Sequence, residues 1–197
     1  RSFTVSLLNA DLNAIKLQVG LAVSASTSYL RLLSGAVSDV APTTPNPSQA
    51  TASNAAIALS MAGFTADQTA PVLSGFDLTM ANGGTTLPIT LTLRFSEVVD
   101  HTSFDVTKFS LVDAAGAVGA PHAFTLTLGT VSSSNSDIIT IVLDSNTDVE
   151  NMRVNYPTVA FDASSTNLVV AASALSDMSS NGFAGISSGS AKAVSTY

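Results

Sequence analysis

The sequence predicts an all-β protein of tandem β-sandwich modules, the N-terminal one incomplete, each with a short crossover helix. Two observations predict it. Short runs alternate polar with apolar residues between turn signals, and residues Phe3–Val40 recur, diverged, as Ile139–Met178. Thr4 and Leu7 match Thr140 and Leu143; Asp11, Ile15 and Lys16 match Asp148, Met152 and Arg153; Leu30, Ala36, Ser38 and Asp39 match Leu168, Ala174, Ser176 and Asp177. A repeat of this length is a duplicated domain rather than a solenoid turn.

The second copy has a front half, roughly Asp67–Ile138, for which the first copy shows no counterpart. The expected organisation is therefore the C-terminal half of a module over 1–64, a linker over 65–71 and a complete module over 67–197. Both ends read as cuts in a longer series, with the missing front half supplied by upstream sequence or a neighbouring copy.

The strands follow from period-2 alternation. Thr86–Phe95, Phe124–Leu128, Ile139–Leu143 with its copy Phe3–Leu7, and Asn167–Ala171 with its copy Tyr29–Leu33 are the predicted strands. Turn signals separate them at Asn82-Gly83-Gly84, Asp113–Gly116, Ser132–Asp137 and Ser179–Gly182. Asn9 is placed to cap a helical turn over Asp11–Gln18, with Gly20 as the stop; Asn146–Val154 is its counterpart. Pro71 holds Ala70 extended, which suits a semi-rigid joint. Pro42–Ser53 reads as an exposed, low-complexity insert without a counterpart in the second copy.

Composition narrows the function classes. Of 197 residues 46% are hydrophobic and only 11% charged, against roughly 25% charged in an ordinary soluble domain. Such a surface is covered by other copies, coated with sugar, or rich in uncharged hydroxyls; Ser and Thr are roughly a quarter of the chain. With seven Lys and Arg and a net charge of −7 there is no basic stripe for nucleic acid. No apolar run reaches the roughly 18–20 residues of a membrane span. The absence of cysteine excludes disulfides and thiolate metal sites.

Asp67-Gln-Thr-Ala-Pro71, Leu91-Thr-Leu-Arg-Phe-Ser-Glu97 followed by Val98-Val-Asp100, Phe109-Ser-Leu-Val112 and Ala174-Leu-Ser-Asp-Met-Ser-Ser-Asn181 resemble the Ig-like repeats of very large microbial and algal surface and filament proteins. That family usually has Ala-Gly where Ser179-Ser180 stand here. The resemblance covers Asp67–Tyr197 as a whole domain and Phe3–Phe64 as half of one. It implies extracellular, cell-surface modules serving as spacers, adhesins or fibre subunits. It also implies that the acids Asp39, Asp67, Glu97, Asp100 and Asp177, near the linker and strand ends, are candidate calcium ligands that would stiffen the joint between modules.

Catalytic motifs fail on their context. Gly185-Ile-Ser187-Ser-Gly189 matches a nucleophile elbow literally, but no His follows Ser187. Asp144-x-Asn146-x-Asp148 opens like a calcium loop, yet Val149 and Asn155 stand where that loop needs Gly and Glu. His101 and His122 are isolated, and Glu97 with Asp100 resembles a glycosidase pair only in proximity. No enzyme is expected and no cofactor, calcium aside. Asn46-Pro47-Ser48 is blocked as a sequon by its proline, but Thr43, Thr44, Ser48, Thr51 and Ser53 have the Pro- and hydroxyl-rich setting of O-linked sugar. The expected function is a structural subunit of an extracellular homopolymeric filament, partnered by copies of itself. The alternative is an adhesin repeat recognising carbohydrate or another surface; the scattered Tyr29, Tyr156 and Tyr197 offer it no aromatic platform.

Overall fold

A computed structural model describes residues 2, 4–79 and 89–197. The expected turn at Asn82–Gly84, the start of the Thr86–Phe95 run and Phe3 lie outside the described residues. The chain is rich in antiparallel strands with few helices, and it forms two compact units, Arg1–Leu17 with Gln68–Tyr197, and Gln18–Asp67.

In the larger unit, alternation sets the strands. Leu91, Leu93 and Phe95 of β4 (Thr90–Val99) are buried while Arg94 and Ser96 face solvent, and Ile139, Ile141 and Leu143 of β8 (Ser136–Leu143) repeat the pattern. One sheet has the order β3 (Leu73–Thr79), β4, β8, β7 (Gly129–Val131). The other runs β10 (Lys192–Ala193), β9 (Asn167–Val170), β5 (Phe109–Val112), β6 (Ala123–Thr125), and every ladder is antiparallel. Phe76, Leu91 and Ile139 of the first sheet share one core with Phe109, Leu111, Phe124 and Leu168 of the second.

Of the expected strand Phe124–Leu128 only Phe124 and Thr125 are in a strand, the end of β6 (Ala123–Thr125); Leu126–Leu128 connect it to β7. The chain leaves the second sheet after β6 and enters the first at β7. At the opposite edge the chain crosses again. After β10, Ser195 donates its amide to Phe76 O at 2.7 Å, and Leu78 donates to Thr196 O at 3.0 Å. Both crossings cover edges that would otherwise offer unpaired backbone groups.

Thr4–Leu8 form no strand. They carry the alternation, but among the described residues no ladder takes them up, and Val5, Leu7 and Leu8 are exposed. Propensity without a hydrogen-bonding neighbour makes no strand. α1 (Asn9–Lys16) follows; Asn9 is its first residue, not its cap, and Leu8 precedes it without a side-chain cap bond. The counterpart is a wide helical turn, Ser145–Val149, capped by Asp144 and running into α2 (Glu150–Asn155).

The smaller unit pairs β1 (Tyr29–Leu30) with β2 (Ile57–Ala58), and only Ala25 and Ser28 are buried in it. Many of its backbone bonds have counterparts in the C-terminal part of the larger unit. Tyr29 opposes Ala58 and Leu30 opposes Ile57, as Asn167 opposes Ala193 and Leu168 opposes Lys192. Ala22 and Ala160, both non-glycine, adopt φ of 56° and 54°. Short helical turns follow each, Ala25–Thr27 and Ala163–Ser165. Leu59 donates to Ser28 O as Val194 donates to Thr166 O. Thr51 donates to Leu32 O as Ile186 does to Val170 O, and Ser48 to Val37 O as Phe183 does to Leu175 O. Most of Pro42–Ser53 is therefore not an insert: Asn46, Ser48 and Thr51 occupy the places of Asn181, Phe183 and Ile186.

Candidate functional site

Asp39 and Asp177 show the repeat most closely. Asp177 accepts from Ser179 N at 2.9 Å, Asn181 N at 2.7 Å and Asn181 Nδ2 at 2.9 Å. Asp39 accepts from Ala41 N at 3.1 Å, Asn46 N at 2.8 Å and Asn46 Nδ2 at 2.8 Å. Acid and Asn are seven residues apart in the first loop and four in the second, so the first loop is longer only between them. The side-chain bond from Asn46, then its backbone bond, holds Asp39 below the ordinary carboxylate value. These carboxylates clamp a turn.

Glu97 continues the inward face of β4 two residues after Phe95 and is buried. A carboxylate there needs a partner. Lys16, from α1, forms an ion pair with it across 81 residues of sequence. Asp177, also buried, lies in the same group. One oxygen each of Asp67, Glu97 and Asp177 lies within 4.8 Å of the others. Three of the five acids singled out in the sequence thus come together, and Asp39 and Asp100 are not in the group. Asp100 instead accepts from the amide and hydroxyl of Thr102, at 2.9 and 2.7 Å. The group is of the oxygen-donor kind that suits calcium, but the Lys16 ammonium already offsets part of its charge. Sequence reasoning missed Lys16, because nothing local marks a pair so far apart.

The remaining motifs resolve into structure. Ser187 Oγ is hydrogen-bonded to Ser190 Oγ at 2.8 Å, and Gly185, at φ +91°, sits against the backbone of Ala172. Asp144 accepts from the amides of Asn146 and Thr147, whereas Asp148 turns inward to Thr127 and Leu128, so the two acids do not converge on one ion. His122 Nδ1 meets Asp113 at 2.6 Å, and His101 Nδ1 meets Asn135 at 2.7 Å. Of the candidate sugar acceptors, Thr43, Thr44 and Ser53 are exposed. Ser48 Oγ and Thr51 Oγ1 are half-buried and accept from Val37 N and Leu32 N, each at 3.3 Å.

No helix among the described residues is long and apolar enough to cross a membrane. No protein-family model, curated protein or solved structure matches the chain.

Proposed function

We propose that this chain is a structural subunit of an extracellular filament, built head to tail from Ig-like β-sandwich modules. One observation carries the reading. The smaller unit has the backbone of a module's C-terminal part, yet its apolar side chains Leu21, Leu30, Leu33, Val37 and Val40 are exposed. Burying such surface is the main favourable term of association, at about 25 cal/mol per Å². A head-to-tail contact that does not close into a ring grows as a helix. The low charge of 11% fits a surface meant to be covered. O-linked sugar on Thr43, Thr44 and Ser53 would coat the exposed loop, and intact-mass measurement reads it directly. Calcium at Asp67, Glu97 and Asp177 would have to compete with Lys16.

Negative-stain microscopy of the native material tests the reading. Long fibres of uniform width are the expected result; dispersed particles would favour a surface-binding repeat instead.

A further inference from the structure

The free edge of β1 is, we propose, a docking edge for a strand of the Phe109–Val112 kind carried by another module. The internal repeat supplies the argument. β9 is flanked on both sides: β10 pairs one edge, and β5 pairs the other, with Phe109 opposite Val170, Ser110 opposite Val169, Leu111 opposite Leu168 and Val112 opposite Asn167. β1 has the counterpart of β10 in the same register, and among the described residues no strand on its other edge.

The side chains register the difference. Leu168 is 0% exposed and Leu30 57%; Val159 is 4% exposed and Leu21 47%; Leu175 is 2% exposed and Val37 38%. The backbone hydrogen bonds around the two strands largely correspond, so local conformation is not the main cause. What differs is the neighbouring strand and the layer behind it. A bare edge with an apolar face is a template for β-augmentation.

Transferring the register defines the occupant. The residue opposite Leu32 stands where Phe109 stands, and those opposite Arg31, Leu30 and Tyr29 stand for Ser110, Leu111 and Val112. The partner is thus an antiparallel segment, apolar at its first, third and fourth positions and polar at its second. Arg31 is exposed and is the sole basic residue between Gln18 and Asp67, so an acidic second residue is preferred over a basic one. The chain's own β5 is not the donor, because Phe109 and Leu111 are already sealed in the core between β6 and β9. The inference rests on reading the chain as one link in an array of modules.

The experiment uses the full chain carrying Leu30→Cys, which is otherwise free of cysteine and is changed at an exposed position. The probe is a synthetic peptide of the Asp105–Asp113 sequence. Under mild oxidation, the peptide with Leu111→Cys should couple about tenfold faster than the peptide with Phe109→Cys, because register fixes which residues meet. Ser110→Glu in the coupling peptide should raise the yield and Ser110→Lys lower it. Equal coupling at both positions, or none, overturns the docking edge. Fibres in the native material with indiscriminate coupling would remove the edge and leave the filament. Register-specific coupling in material that holds only single particles would keep the edge and remove the filament.

Discussion

Asp148 accepts the backbone amide of Leu128 at 3.0 Å, twenty residues away in sequence, and so fixes the point where the chain passes from one sheet to the other. The same carboxylate takes the amide of Thr127 at 3.0 Å and its hydroxyl as well. Residues between two sheets lose their ladder partners, and amides left without acceptors are costly. A single carboxyl group with two oxygens accepts from all three donors at once, which is why Asp148 can sit at a 1% exposed position.

Asp148→Asn keeps the volume but replaces one acceptor with a donor facing an N–H. The expected loss is about 2–4 kcal/mol. Urea unfolding should show a lower midpoint with an unchanged slope. A loss under about 0.5 kcal/mol would mean that the crossing is held by something else.

Gly185 and Gly116 separate backbone strain from close approach. Both have positive φ, +91° and +85°. A Cβ on Gly185 would lie 2.9 Å from Ala172 N, whereas one on Gly116 meets nothing within 4 Å. Gly116→Ala should cost about 1 kcal/mol from φ alone. Gly185→Ala should cost about 1–3 kcal/mol more, for the clash. Thermal melts of the two variants compare them directly, and equal losses would contradict the close approach.

Lys16→Met removes the partner of buried Glu97. The expected loss is about 2 kcal/mol, less than for a fully buried pair because Lys16 reaches solvent. Adding Glu97→Gln to the same chain should recover most of it. If the double variant is no more stable than the single one, the pair is not what holds Glu97. Chelator should leave the wild-type melt unchanged as long as Lys16 is the resident cation.

Acid should weaken the fold in a defined window. Asp77 is held low chiefly by Arg94, Asp144 by hydrogen bonds from Thr147, and Asp162 by hydrogen bonds from Ser164 and Ser165. In the unfolded chain they titrate near about 3.9. Groups lowered by folding stabilise fully above that value and lose the contribution as pH falls through their folded values. Unfolding free energy should therefore be flat from about pH 7 to 5 and fall below about pH 4, and Asp77→Asn should make the fall shallower. A fall beginning near neutrality would contradict these carboxylates as its source.

What the sequence discloses is what neighbours in sequence decide. Leu91, Leu93 and Phe95 alternate because the pleat alternates, and Asp39 and Asp177 stand in matching turns because each is bonded within a few residues. Distant partners are invisible there. Thr4–Leu7 carry the pattern of Thr140–Leu143 but find no ladder among the described residues. Phe124–Leu128 reads as one strand, but the strand ends at Thr125 and the amides of Thr127 and Leu128 turn to Asp148, which no local rule points to. The Lys16–Glu97 pair hides for the same reason. The low-complexity look of Pro42–Ser53 concealed Asn46, Ser48 and Thr51, whose bonds repeat those of Asn181, Phe183 and Ile186 although the side chains differ.

Amide hydrogen exchange on the dilute chain and on assembled material is the most direct measure of whether the smaller unit awaits a partner. In the dilute chain the amides of Leu168–Val170 should exchange slowly and those of Leu30–Leu32 fast; on assembly the second set should slow toward the first. Equal protection of both sets in the dilute monomer would contradict the account.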